Sequence, residues 1–103
     1  MARCKCCHKR GFAVETDVNG LCDSCAPYYY LSLSADLKEL EQILKALERI
    51  SQPEAALGRI DQAAELLERI RPYAAAGLAE LSMPMPLLEQ YLAEQKDYWH
   101  DQL

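Results

Sequence analysis

Three cysteines and a histidine crowd into five positions of RCKCCHKRG, residues 3–11, and a second cysteine pair closes NGLCDSC, residues 19–25. Thiols serve as metal ligands, nucleophiles or disulfide partners, and spacing decides among these. Cys4 and Cys7 form one CxxC, Cys22 and Cys25 form another, and fourteen residues separate the pairs. Each pair presents two sulfurs from a single tight turn, and two such pairs make the donor set of a tetrahedral four-thiolate zinc site. We therefore expect Cys4, Cys7, Cys22 and Cys25 to hold one structural Zn²⁺.

The competing chemistries lack their other parts. A disulfide framework does not suit an odd count of five cysteines in a chain expected to stay in a reducing compartment. A thioredoxin-type redox pair needs a βαβ context, which is absent. A catalytic zinc needs three protein ligands, an open position and a general base, and no base accompanies these cysteines. His8 as fourth ligand is less economical than two symmetric pairs. Cys6 is the surplus thiol, an exposed knuckle side chain or a small core filler, against the sharper readings of alternative ligation or redox sensing.

The elements that must position the sulfurs are also visible. In HKRGFAVETDVNGLC, residues 8–22, Gly11 precedes the short apolar run Phe12, Ala13 and Val14, and Asn19-Gly20 signals a turn before the second pair, so a small hairpin should bring the pairs together. Past Cys25 the sequence turns helical. Asp23 or Ser24 is suited to cap that helix, Pro27 falls in its first turn, and the exposed N–H groups of a helix start favour thiolates.

Knuckle, hairpin, and a helix opened by the second pair resemble the treble-clef group of zinc folds. More narrowly, CKCCHKRGFAVETDVNGLCDSCAP resembles the amino-terminal zinc module of uncharacterised bacterial proteins in which a CxxC knuckle precedes an NGLCxxC element and a helical hairpin follows. The likeness spans about the first 80 residues and is specific around the cysteines. It implies zinc binding and no activity. His8 departs from it, since such knuckles often carry glycine there; histidine tolerates left-handed backbone moderately well.

A unit of about 30 residues has too little core to fold alone, whereas structural zinc supplies on the order of 10–16 kcal/mol. Four thiolates around one divalent cation leave a local charge of about −2, which Arg3, Lys5, Lys9 and Arg10 are placed to balance. The same four cations are the basis of a phosphate-binding alternative. Residues 1–31 carry four basic against three acidic groups, and residues 32–103 carry seven against thirteen, −6, within a chain of net charge −5. That acidic remainder repels a phosphate backbone and confines any nucleic-acid contact to the basic end.

The remaining sequence is rich in helix formers. From Tyr28 to Ile50 there is neither Gly nor Pro, and Tyr30, Leu33, Leu37, Leu40, Leu44 and Leu47 repeat at steps of three and four, with Ile43 and Ile50 widening the face. This predicts one long helix from the zinc module to about Ile50, with Ser34 as a second start if it breaks. SQPE at 51–54 has the form of a capping box, Glu54 reaching back to Ser51, and opens a helix whose stripe of Leu57, Ile60, Ala64 and Leu67, with Ala56, Ala63 and Ile70 beside them, should end at Pro72. The short connection makes the two helices antiparallel. Gly77, Pro84 and Pro86 then interrupt the chain. A last helix, about 86–102, presents Leu88, Tyr91, Leu92, Trp99 and Leu103, closing a three-helix bundle or docking on a partner or a second copy.

The expected fold is thus mainly α: a zinc-binding module over 1–31 leading into an antiparallel helical hairpin or three-helix bundle over 32–103. The start MARCKCCHKRG lacks the apolar core of a signal peptide, and no stretch approaches the roughly 18 apolar residues of a membrane span, so the expected setting is cytoplasmic. Two lesser constellations have plainer explanations. Asp97, His100 and Asp101 read as the charged last turn of a surface helix rather than a metal site. Tyr28, Tyr29 and Tyr30 read as a cover for the zinc module rather than a stack for bases. No nucleophile, base and orienting group assemble into an enzyme. The expected function is a non-enzymatic protein-interaction module with structural zinc, acting through its helices on a protein partner or on itself; the alternative is a nucleic-acid-binding regulator using the basic zinc module.

Overall fold

The computed structural model describes residues 2–11 and 14–103. Two short strands, β1 (Ala2–Arg3) and β2 (Arg10–Gly11), pair antiparallel with Ala2 opposite Gly11 and Arg3 opposite Arg10. Four helices follow: α1 (Ala26–Leu31), α2 (Leu33–Leu47), α3 (Pro53–Ala75) and α4 (Met85–Asp101). The protein is therefore mainly helical, with a small amino-terminal hairpin, as the sequence indicates. The described hairpin frames the first knuckle rather than joining the two cysteine pairs; the expected apolar run at Phe12 and Ala13 lies outside the described residues.

The expected continuous helix from the knuckle to Ile50 is instead two helices, broken at Ser32, where φ is −128° and ψ −29°. The leucine periodicity is satisfied from Leu33 onward, with Leu33, Leu40, Ile43 and Leu47 buried. Tyr30 leaves that seam: its hydroxyl donates to Asp17 Oδ2 at 2.8 Å and accepts from Asn19 Nδ2 at 2.8 Å. A straight helix would aim Tyr30 along the face of Leu33. The break turns Tyr30 to the ribbon while Leu33 stays in the core.

α3 is the axis of the molecule, 23 residues and about 34 Å long at 1.5 Å per residue, with α2 and α4 packed on it. Its buried stripe is Ala56, Ile60, Ala63, Leu66, Leu67, Ile70 and Tyr73, with Ala64 exposed. Arg69 Nε reaches Asp36 Oδ2 at 3.1 Å on the antiparallel α2, and Arg71 joins Glu68 of its own helix, at 3.2 Å, to Glu89 of α4, at 2.6 Å. α4 buries Leu88, Leu92 and Trp99, while Leu103 is 68% exposed past its end. The last helix thus packs in cis, completing an elongated bundle of 54 × 20 × 19 Å.

Two expectations at the ends of α3 are corrected. Ser51 is not the cap and no capping box forms: Gln52 is the N-cap, in extended conformation at φ −104° and ψ 126°, without a side-chain cap bond. The reason is Pro53, which disfavours helical backbone in the residue before it and is itself suited to the first helical position. Pro72 does not end the helix, which continues to Ala75. Tyr73 is buried beyond it and anchored by tertiary contacts, and the true stop is a Schellman motif. Leu78 N–H donates to the Tyr73 carbonyl at 2.8 Å and Gly77 N–H to Ala74 at 3.1 Å, with Gly77 left-handed at φ 77°.

Pro72 deprives the Glu68 carbonyl of its helical partner, and its ring is exposed. Pro72→Ala should restore that bond with no loss of packing. The gain is tempered by a floppier unfolded chain, leaving the protein more stable by about 1–2 kcal/mol. A higher denaturant midpoint at unchanged m-value is the expected result, and a lower midpoint would show that the proline fits its turn.

Candidate metal centre

The first knuckle is a turn closed on itself. Cys4 N–H donates to the Lys9 carbonyl and His8 N–H to the Cys4 carbonyl, both at 3.0 Å. His8 takes the left-handed backbone, φ 63°, a region that side chains other than glycine enter rarely. Its ring is exposed and it stands outside the sulfur cluster.

The second pair is set by an Asx turn. Asp17 Oδ1 accepts the N–H groups of Asn19, at 2.9 Å, and Leu21, at 3.0 Å, while Gly20 adopts φ 76° as the Asn-Gly signal requires. This loop clips to the first knuckle through Lys5 N–H and the Gly20 carbonyl at 2.8 Å, and the Lys5 side chain lies across Gly20 where a Cβ would sit. The N–H of Leu21 leads the bonds that hold the Asp17 carboxyl below its ordinary range.

Cys25 is itself the N-cap of α1, with Pro27 in the first turn; neither Asp23 nor Ser24 takes that place. The Cys22 carbonyl accepts from Cys25 N–H, at 3.1 Å, and Ala26 N–H, at 2.9 Å. These bonds fold the pair into its own tight turn.

The outcome is that the Sγ atoms of Cys4, Cys7, Cys22 and Cys25 lie within 4.8 Å of one another, and those of Cys7 and Cys22 are 3.7 Å apart. A tetrahedron of sulfurs at the zinc–thiolate distance of 2.3 Å has edges of about 3.8 Å. A disulfide needs about 2.05 Å, and all five cysteines are free thiols. The cluster can therefore hold a metal ion, and its chemistry, four soft sulfurs with no oxygen donor, suits zinc.

Cys6 points into the core at 7% exposure, not to solvent and not into the cluster. Burial, and then the neighbouring Cys4, Cys7 and Cys22, push its thiol up to about 11. Asp97, His100 and Asp101 are exposed on the last turns of α4, and among the described residues the four cysteines form the one cluster able to hold an ion.

Electrostatically the cluster is asymmetric. Burial acts to raise the Cys4 thiol, but the backbone N–H groups of Cys7, Cys22 and Cys6 converge on its sulfur and bring it down to about 6. Burial, followed by hydrogen bonds to the sulfurs of Cys4, Cys22 and Cys7, pushes Cys25 well above the ordinary thiol. The helix start thus does not supply the thiolate; converging loop amides do. A thiol raised as Cys25 is keeps its proton at neutral pH, and a four-thiolate complex must expel it.

Zinc uptake should consequently release protons, and affinity should fall as pH falls through the range where those protons return, most steeply below about 6 where Cys4 also protonates. Competition against a chromophoric chelator from roughly pH 8 to pH 5 measures this, with about a tenfold loss per unit for each proton displaced. A flat profile would mean that no thiol proton is exchanged for metal.

The cluster is tied to the helices by tyrosines. Tyr73 Oη donates to the Cys25 carbonyl at 2.7 Å across 48 residues. Its ring packs at 5.0 Å from Tyr28 and stacks at 6.4 Å on Tyr29. Tyr28 in turn donates to Asp36, the carboxylate that binds Arg69, and burial followed by Asp36 pushes it up to about 12. Tyr28 and Tyr29 thus both pack on Tyr73 of α3, and Tyr30 alone turns to the Asp17–Asn19 loop. Tyr73 carries no motif; its only sequence sign is the buried-stripe position that follows Ile70 by three.

Arg3, Lys5, Lys9 and Arg10 are all exposed, and none makes an ion pair among the described residues. Arg3 and Arg10 stand directly opposite on β1 and β2. Like charges in that position destabilise a hairpin by up to about 1 kcal/mol, a cost that four thiolates around a divalent ion at the neighbouring cluster would offset. No helix is long and apolar enough to cross a membrane among the described residues. Comparison of the chain with protein-family models, with curated proteins and with solved structures finds no match.

Proposed function

We propose that the protein is a small zinc-binding, non-enzymatic protein-interaction module in which one Zn²⁺, held by Cys4, Cys7, Cys22 and Cys25, fixes the amino-terminal ribbon to a helical bundle. The observation that carries it is the convergence of four sulfurs within 4.8 Å. Four thiolates saturate a tetrahedral ion and leave no position for substrate or water, which supports a structural rather than a catalytic metal. Exposed apolar side chains, among them Leu31 at 82%, Leu87 at 54% and Tyr98 at 54%, support docking through the helices.

Native mass measurement on the purified protein tests this directly, because it gives metal and chain stoichiometry together. One zinc per chain is the expected result. Protein that carries no ion would end the proposal.

The unpaired cations on β1, β2 and the first knuckle favour a second reading, a nucleic-acid-binding regulator. Binding that weakens steeply with salt and is lost on charge reversal of Lys9 and Arg10 would replace the first reading with this one. A protein that binds no oligonucleotide and elutes as a dimer would dismiss it.

A further inference from the structure

We propose that the cleft between the end of α2 and the start of α3 docks an acidic segment of a protein partner; this rests on the interaction-module reading and names the chemistry of what the module would bind. The cleft lies at the turn joining α2 to α3, the end of the helical hairpin away from the cysteines. It is lined by Gln42, Lys45, Ala46, Arg49, Ile50 and Arg59. Three cations and an amide surround an apolar floor, and no carboxylate lines it.

In a chain of net charge −5 that composition is unusual. Of the other four cations of 32–103, Arg69 pairs with Asp36 and Arg71 with Glu68 and Glu89, while Lys38 and Lys96 make no ion pair among the described residues. Among the described residues Lys45, Arg49 and Arg59 meet no carboxylate, and the guanidinium of Arg59 bonds only the Gln62 amide oxygen, at 3.4 Å.

Local rules account for part of this. The carboxyl end of α2 favours cations, which explains Lys45 and Arg49, although as neighbours four residues apart they repel each other. Arg59 has no such reason, since it stands in the second turn of α3, beyond the reach of either helix-end dipole. It is the residue that converts a helix-end charge pair into a three-cation cleft.

The ligand that answers this arrangement carries carboxylates around an apolar side chain, which would seat on Ala46 and the half-buried Ile50. A short acidic peptide confines its charge to the cleft. A nucleic acid would run its phosphates onto the surrounding surface, where residues 32–103 carry a net charge of −6.

The test is a titration of the full-length zinc-loaded protein with a fluorescein-labelled Glu/Leu amphipathic peptide, read by fluorescence anisotropy. Saturable binding that weakens with added salt is expected, with a loss of about tenfold for Arg59→Glu and no change for Lys96→Glu on α4. A Lys/Leu peptide of the same pattern should not bind. Failure of the acidic peptide, equal binding by the Arg59→Glu protein, or displacement of the peptide by oligothymidylate would overturn the proposal. Zinc content is measured on the same samples: zinc-loaded protein that ignores the peptide discards the docking cleft alone. Peptide binding by protein that holds no zinc supports the cleft and discards the metal reading.

Discussion

Cys22→Ser should release the zinc and unfold the amino terminus while the helical bundle keeps most of its circular dichroism. The buried residues of the described part of 2–25 are Cys4, Cys6, Leu21 and Cys22. One leucine contributes about 2–3 kcal/mol, against an ordering cost of about 1–2 kcal/mol for every residue of the ribbon. Structural zinc, at on the order of 10–16 kcal/mol, is the term large enough to hold it. Serine removes one of four thiolates from a site with no spare ligand, since Cys6 is turned into the core and His8 outward. The bundle has its own interior in Leu40, Ile43, Ile70 and Leu88, each at most 2% exposed, and should survive. A variant that retained a full equivalent of zinc would contradict the ligand assignment.

Tyr73→Ala should be the most damaging single change outside the cluster. Removal of a buried aromatic ring costs about 3–5 kcal/mol, and this ring also contacts Tyr28 and Tyr29 and holds the Cys25 carbonyl. Unfolding should shift by that amount, and zinc transfer to a chelator should accelerate by at least about tenfold, the equivalent of 1.4 kcal/mol. Tyr73→Phe separates the two roles. It keeps the ring and leaves the Cys25 carbonyl with the weak 3.4 Å bond from Tyr29 N–H, so it should cost about 1 kcal/mol. If Tyr73→Ala loses stability but releases zinc at the normal rate, the tyrosine supports the bundle alone and does not clamp the metal knuckle.

The legible features were those with short-range causes. Two CxxC pairs, an Asn-Gly turn and a Pro in a first turn each constrain their own neighbourhood, and the structure realises them within a residue or two. Leucine periodicity likewise placed the buried faces of α2 and α4, because a 3.6-residue repeat leaves one stripe to hide. His8 in left-handed backbone was also foreseeable, from the tight turn a knuckle needs.

Where local reasoning failed, a competing constraint overrode it. The SQPE pattern offered Ser51 as a cap, and the adjacent proline moved the cap to Gln52. Pro72 signalled a stop, and the burial of Tyr73 carried the helix past it to a glycine. The uninterrupted run from Tyr28 to Ile50 signalled one helix, and the chain instead breaks at Ser32, where Tyr30 turns to bond Asp17 and Asn19.

The sequence by itself determined which four cysteines cluster, the helical character and the faces that must be buried, since spacing and periodicity act within a few residues. The tertiary structure alone decided that α4 folds back on α3, that Tyr73 clasps the second knuckle from 48 residues away, and that Arg59 joins Lys45 and Arg49 around one cleft. These depend on which side chains meet when helices cross, and a one-dimensional pattern carries the phase of each helix but not its partner.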